Sequence, residues 1–385
     1  MIPSGKKFAI FKINLIFITF ILTGFAAFGQ INIEPGPDVT PTDMVENIVG
    51  EGIQYSNVEF QGADASRGTF SNGGSTNLGI GSGIFLTSGA GYNIPGPNSS
   101  TSAGSNNGMP GHASLNAITT STTYDAAVLE FDFIPESDTL RFKYVFGSEE
   151  YNEWVGSSFN DVFGYFVSGP DPEGGFYADK NVAIVPGTAS TSVTINNVNN
   201  GYSAGGVVPT GPCTNCAYYN DNTGGLTIEY DGFTTVLVAW LLVVPCEEYH
   251  IKIGVADAGD GIYDSGVFIE ENSFESPKIE VESDPFPEGV SDNMIEGCVE
   301  ADIIFKLPNP EYAPITVYFE VEGTADPGAY PDGDFEEEIP TSITFEEDTD
   351  TAVIHVAPVK DGIIEGEETL ILIIENTLGC IVRYD

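Results

Sequence analysis

Acidic and amide side chains crowd the stretch Phe146-Gly-Ser-Glu-Glu-Tyr-Asn-Glu-Trp-Val-Gly-Ser-Ser-Phe-Asn-Asp-Val-Phe-Gly-Tyr-Phe-Val-Ser-Gly-Pro170. Glu149, Glu150 and Glu153, then Asn160 and Asp161, lie between an apolar run ending at Val145 and a second from Val162 to Val167. A hard cation such as Ca²⁺ asks for about six to eight oxygens in a flexible cage, and such a loop between two strands supplies them. A second oxygen-rich loop follows at Asp257-Ala-Gly-Asp260-Gly-Ile-Tyr-Asp264-Ser265, where glycines permit sharp turns between the aspartates. It is no EF-hand, because it lacks acids at alternate positions and a helix on either side. The expectation is that both loops converge on one end of a sandwich and hold calcium; the alternative is a pair of solvated turns with aspartates chosen for turn geometry. Tyr151 and Trp154 stand beside the first acids as candidates for stacking on a sugar face. Core packing is the alternative for Trp154.

The elements that must position these loops read as strands. Short apolar or alternating runs recur at Tyr55–Phe60, Gly83–Thr87, Ala127–Phe133, Thr139–Phe146, Asn181–Pro186, Thr191–Ile195 and Gly225–Tyr230, separated by Gly, Asn, Ser and Pro clusters. In Tyr249–Asp257, Ile251, Ile253 and Val255 alternate with polar or small residues. The rhythm is that of an all-β protein, with a jelly-roll-like β-sandwich over residues 30–275. Phe233–Pro245 is apolar throughout and suits a strand buried on both faces. Pro41–Gly50 reads as one short helix capped by Thr42. The polar tract from Gly89 to His112 reads as a surface loop.

The chain has 385 residues and a formal charge of −45. Met1–Gly29 has Lys6, Lys7 and Lys12, an apolar run and a small-residue end, the pattern of a secretory signal peptide; an uncleaved membrane anchor is the alternative. Removing it leaves nine Lys and Arg against 57 Asp and Glu, a formal charge of −48. Such a surface repels nucleic acid and anionic lipid and attracts divalent cations. The expected location is secreted or on the bacterial outer surface, with no membrane span in the mature chain. Five cysteines in an exported chain are expected to be partly oxidised. Cys213-Thr-Asn-Cys216 favours a local loop disulfide over zinc or redox work, since neither a second such pair nor a paired histidine is present. Cys298 and Cys380, near the two ends of the C-terminal segment, are expected to bridge its first and last strands.

Enzyme constellations are thin. His112, His250 and His355 are the three histidines, and no GxSxG, HExxH or phosphate-binding glycine loop occurs. Two carboxylates suffice for a glycosidase, so Glu149 or Glu150 with Asp161 keeps a carbohydrate-active hydrolase as the alternative. The leading reading is a calcium-stabilised binding or adhesion protein with a glycan or protein partner at the cell surface.

The segments FGSEEYNEWVGSSFNDVFGYFVSG, NVAIVPGT, VTINNVN, YDGFTTVL and YHIKIGVADAGDGIYDSGVFIEENSF, in that order from about Asp43 to Phe274, resemble the choice-of-anchor L domain of secreted bacterial surface proteins. That resemblance implies attachment to an anchoring module and leaves molecular activity unassigned. From about Lys278 to Asp385, GTADPGAY and ITFEEDTDTAVIHVAPVKDGIIEGEETLILIIEN resemble a Calx-β domain. This second resemblance implies a C-terminal immunoglobulin-like sandwich over 277–385 that holds calcium at one end. The matching acids are Asp361, Glu365 and Glu367 or Glu368, while the family's upstream strand acid has no clear counterpart.

Overall fold

A strand whose every second side chain is apolar has to bury one face, and two such sheets satisfy each other by packing face to face. The computed structural model describes residues 29–50, 52–203, 208–276, 280–286, 293–307, 315–346, 349–362 and 366–374. Its strands up to residue 270 are β1 (Asn32–Pro35), β2 (Ile53–Gln61), β3 (Arg67–Ser71), β4 (Gly83–Thr87), β5 (Thr123–Pro135), β6 (Thr139–Ser148) and β7 (Val162–Pro170). They continue with β8 (Phe176–Asn181), β9 (Tyr219–Asp221), β10 (Gly232–Thr234), β11 (Leu237–Leu242), β12 (Tyr249–Ala258) and β13 (Ser265–Glu270). One sheet runs β1-β3-β4-β13-β6-β10-β9 with β11 also paired to β6, and the other runs β2-β5-β12-β7-β8. All these pairings are antiparallel, so the expected all-β sandwich is what forms.

Between the sheets lie Leu129, Phe131 and Phe133 of β5, Phe142, Tyr144 and Phe146 of β6, Phe163 and Tyr165 of β7, and Ile251, Ile253 and Val255 of β12. Phe142 sits at the centre, with ring centroids 3.9 Å from Tyr165 and 5.7 Å from Phe274. The outer face of the larger sheet is covered as well, by Ile228, Tyr230 and Phe233 packed on Phe85, Val145 and Phe268. This second layer is why β4 is buried at every position. On the outer face of the smaller sheet, Leu115 of the short helix α2 (Ala113–Asn116) covers Val128 and Phe166.

Several local expectations change. The first helix, α1 (Pro41–Ile48), is capped by Thr40 rather than Thr42, because Pro41 takes the first helical position and Asp43 closes a reciprocal capping box with Thr40. β11 is not buried on both faces: Val238, Trp240 and Leu242 are exposed, while Leu237, Ala239 and Leu241 point into the core. Asn181–Pro186 and Thr191–Ile195 meet through a single bridge, Ile184 to Ser192, and Gly225–Tyr230 is held by another, Ile228 to Pro95, so none of the three is a strand. The signal-peptide assignment falls on residues outside the described ones apart from Gly29. No helix among the described residues is long and apolar enough to cross a membrane.

After residue 276, β14 (Glu280–Phe286), β15 (Glu300–Lys306) and β18 (Thr351–Val356) form one three-stranded sheet. β16 (Ile315–Gly323), β17 (Ser342–Phe345) and β19 (Leu370–Ile374) form another. Phe305, Phe319, Phe345 and Val356 are buried together there, with Phe305 stacked on Phe319 at 5.6 Å. Cys213 and Cys216 are bridged. Cys298 is an exposed thiol in a turn closed by its N–H on the Ile295 carbonyl, and Cys380, its expected disulfide partner, lies outside the described residues.

Replacing Phe142 removes a fully buried ring that both sheets contact. Phe142→Ala is expected to cost about 3–5 kcal/mol in denaturant unfolding, and a loss below about 1 kcal/mol would contradict the packing described.

Candidate metal centre

The inward faces of the core strands continue past their apolar residues into carboxylates. In β12, Ile251, Ile253 and Val255 are followed at the next core-facing position by Asp257, and just before β7 Asp161 precedes Phe163 and Tyr165 with the same parity. Ala256 pairs with Val162, so the next step of that antiparallel register sets Asp257 opposite Asp161. Both are buried, at 2 % and 0 % exposure. Asp161 accepts from the Ala258 N–H at 2.8 Å and from the Ser265 hydroxyl at 2.6 Å. Neither oxygen of Asp257 has a hydrogen-bond partner. The Ser88 hydroxyl lies within reach of it and is placed to donate to the Ser265 carbonyl at 3.2 Å.

Asp125 joins this inner group through an irregularity. Between the Val255–Ala127 and Asp257–Tyr124 pairs, β5 holds one extra residue, and Asp125 adopts a left-handed φ of 48° there. A bulge of this kind re-aims a side chain at the end of a ladder. A Cβ placed on Gly261 would sit 3.0 Å from Asp125 Oδ2 and 3.7 Å from Asp257 Oδ2, so the missing side chain leaves a gap that both carboxylates border.

A second group lies on the opposite face of the larger sheet. Ser148 pairs with Gly232 on one side and with Ser265 on the other, so the next register step lines up Asp231, Glu149 and Asp264 across β10, β6 and β13. The Glu149 N–H donates to the Asp264 carbonyl at 3.0 Å, in keeping with that register. The polar tract expected to be a surface loop is laid over these acids as a strap. Its N–H groups donate to Glu229 from Ser99 and Ser100, to Glu149 from Ala103 (3.1 Å), to Asp264 from Ser105 (2.9 Å) and to Asp125 from Asn107 and Met109. The Asn98 amide donates to Asp231 at 2.8 Å. A Cβ at Gly89 would overlap the Asp264 carboxylate, which is why that position has no side chain.

Of the residues expected at the site, Glu149, Glu150, Asp161, Asp257 and Asp264 are brought together and buried, with Glu153 and Asp260 half-buried at the rim. Asn160 is drawn away, its side-chain oxygen taken by the Asn196 N–H at 2.8 Å. Tyr151 is not available to a sugar: it is fully buried and its hydroxyl donates to the Val198 carbonyl. Trp154 is half-buried between Phe159 and Tyr263, in an edge contact at 5.1 Å with the first. In the C-terminal unit Asp361 and Glu367 are exposed and border a cavity of about 910 Å³ together with Asp334 and Glu368, while Glu365 lies outside the described residues. Sequence reasoning missed Asp125, Asp231 and Glu229. The available sign was an acid inside an apolar strand pattern, in TTYDAAVLEF and TIEYDGF. Among the described residues no three carboxylate, imidazole or thiolate groups close on one point as a finished metal shell.

The family model for the choice-of-anchor L domain matches residues 32–275, the span that carries both acid groups and the strap. The chain belongs to the choice-of-anchor L domain family. It is accordingly a surface-associated bacterial protein. No curated protein and no solved structure matches it.

The electrostatics of this choice-of-anchor L domain follow from burial without counter-charge. None of the ion pairs described reaches Asp125, Glu149, Glu150, Asp161, Asp231, Asp257 or Asp264. Loss of water pushes Glu149 up to about 10, with Asp231 as the next cause, and Glu150 up to about 10, with Asp161 next. It pushes Asp161, Asp231 and Asp264 up to about 7, against the opposing pull of their hydrogen-bond donors. Asp257, buried beside Asp161, is raised as well.

The sign of the pH effect is opposite to that of an ordinary salt-bridged carboxylate. A group with a raised folded pKa binds its proton more tightly when folded, so its contribution is complete below pH about 4 and is lost as pH climbs through the folded value. In chelator, the melting temperature of the metal-free protein is expected to fall from pH 5 to pH 8, most steeply below pH 7, where all these groups hold a proton only in the folded chain, and more gently above it. A melting temperature that rises from pH 5 to pH 8 would show that these carboxylates are compensated within the protein.

Proposed function

We propose that this chain is a non-enzymatic, calcium-stabilised binding module of the bacterial surface, with Ca²⁺ held at the inner acid group and a surface glycan or polymer as partner. The observation that carries the reading is Asp257, 2 % exposed with neither carboxylate oxygen hydrogen-bonded. A buried anion left bare is costly, and either a proton or a bound cation removes the cost; the acids clustered around Asp257 favour the cation. Asp257 is the proposed anchoring ligand, with Glu150, whose Oε2 is also without a partner, and the hydrogen-bonded Asp161 and Asp125 as the neighbouring acids; these acids do not close on one point among the described residues, so the cation would have to draw them together. Carbonyl groups and water complete the shell, as calcium accepts. An all-oxygen donor set without imidazole or thiolate favours a hard cation over zinc or copper.

The hydrolase alternative has less support. Glu149, Glu150 and Asp161 are each 2 % exposed or less, and a glycosidase needs its two carboxylates on either side of a sugar that has entered the site. With Tyr151 and Trp154 turned inward, Trp240, 54 % exposed on β11, is the tryptophan offered to a sugar, among other exposed aromatics such as Tyr92 and Phe176. The C-terminal unit is assigned on its resemblance as Calx-β-like, with Asp361 and Glu367 as its calcium candidates.

The test is thermal unfolding with calcium and with chelator, in the parent and in Asp257→Asn. Calcium at 100 times its dissociation constant adds about 2.7 kcal/mol, so the parent is expected to melt several degrees higher than in chelator, and the variant to lose most of that gain. A melting curve that chelator leaves unmoved overturns the calcium reading. Retention of the parent on insoluble polysaccharide, weakened in Trp240→Ala, checks the partner class; equal retention of both sends the search to another surface.

A further inference from the structure

The outer carboxylates form a group that the inner one does not explain. Asp231 and Glu149 each lie one residue past the Gly232–Ser148 pair of adjacent strands, at positions whose parity faces away from the inter-sheet core. Side chains so placed have Cβ atoms about 5 Å apart, and like charges there repel. Each carboxylate is fixed by a single donor from the strap: the Asn98 amide on Asp231 Oδ1 and the Ala103 N–H on Glu149 Oε2. The other oxygen of each, Asp231 Oδ2 and Glu149 Oε1, is buried with no partner. Asp231 is 3 % exposed and Glu149 1 %. Asp264, third in the row, differs, because Ser105 and Asn93 occupy both of its oxygens.

We infer that Glu149 and Asp231 form a second divalent-cation site, separate from the one at Asp257, with the strap as its outer wall. This rests on the proposed function in taking calcium as the cation. Two oriented carboxylates, each pinned at one oxygen and bare at the other, hold a hard cation between neighbouring strands, with carbonyl groups and water as the remaining ligands. The strap residues Asn98 and Ala103 orient the ligands without contacting the metal, as outer hydrogen-bond partners of metal ligands do. Binding here also fastens the strap to the sheet, because the same two carboxylates hold both.

The test is equilibrium dialysis and calorimetric titration of CaCl₂ into the chelator-stripped full chain, comparing the parent with Asp231→Asn, Asp257→Asn and the double variant. Asp231→Asn is expected to lose one equivalent, or to weaken it at least about tenfold, while keeping the equivalent that Asp257→Asn removes; the double variant loses both. If Asp257→Asn loses an equivalent and Asp231→Asn binds as the parent does, the inner site stands and this second site is overturned. Loss in Asp231→Asn alone supports the second site and overturns the inner one. Parent-like binding in both variants overturns both. Circular dichroism confirms the fold of each variant. Should Asp231→Asn not fold, Glu149→Gln, which keeps an acceptor for the Ala103 N–H, reads the same equivalent with the same expected and overturning results.

Discussion

Repulsion between carboxylates buried opposite one another is the constraint around which this end of the sandwich is built. Asp161 and Asp257 lie one step past the last pair of one ladder, and Asp231, Glu149 and Asp264 one step past the last pairs of two more. Like charges directly opposite destabilise a sheet even at a wetted surface, and here burial removes the water that would screen them. A chain with 57 acids and 12 basic residues has few cations to send inward. Those described are spent elsewhere, Arg141 on Glu275 and Lys252 on Asp179 for example. The protein's own answer is hydrogen bonding to main-chain N–H groups, which favours the charged form without introducing a positive side chain.

The strap follows from that answer. A tract of Ser, Asn, Gly and Ala cannot pack a core, yet small side chains let its backbone lie close enough to donate to four separate carboxylates between Ser99 and Met109. Glycine at 89, 104 and 261 serves the same end, since a side chain at any of them would crowd Asp264 or Asp125. What the strap does not satisfy is more informative. Asp257 is left bare at both oxygens and Asp231 and Glu149 at one each, although donors are plentiful in the same segment. Groups that are otherwise so carefully supplied with partners are left open where the proposed cations sit.

The two loops and the sandwich were legible in the sequence because each depends on local pattern: alternating strands, turn residues, and acids clustered within a few positions. The strap and the acids Asp125, Asp231 and Glu229 were not, since their meaning comes from register between strands far apart in the chain. Asp231 gains its neighbour Glu149 only when Gly232 pairs with Ser148. Asp125 reaches the site only through a one-residue bulge. Side-chain direction failed for a different reason in Phe233–Pro245: its residues are nearly all apolar, so the alternation that would have marked Trp240 as outward-facing left no trace in residue type. Tyr151 illustrates the converse, an aromatic beside acids that looks like a ligand platform and is a core residue whose hydroxyl closes on the Val198 carbonyl.

Under the proposed function, the placement of the acids also says where cation binding acts. Asp161 and Asp257 terminate the same inward-facing rows that carry Phe163 and Val255, so the inner cation seals the end of the inter-sheet core rather than decorating its surface. Glu149 and Asp231 lie on the far side of the same strands, above Phe233 and Val145. Neutralising one group lowers the local negative potential felt by the other, since Asp264 bears on both Glu149 and Asp161. Two cations on opposite faces of one sheet end therefore weaken each other's binding through this shared field, a coupling that thermodynamic linkage requires to be equal in both directions. A module loaded in this way has its stability set by the divalent-cation level outside the cell, since metal affinity that depends on the folded arrangement is itself folding free energy.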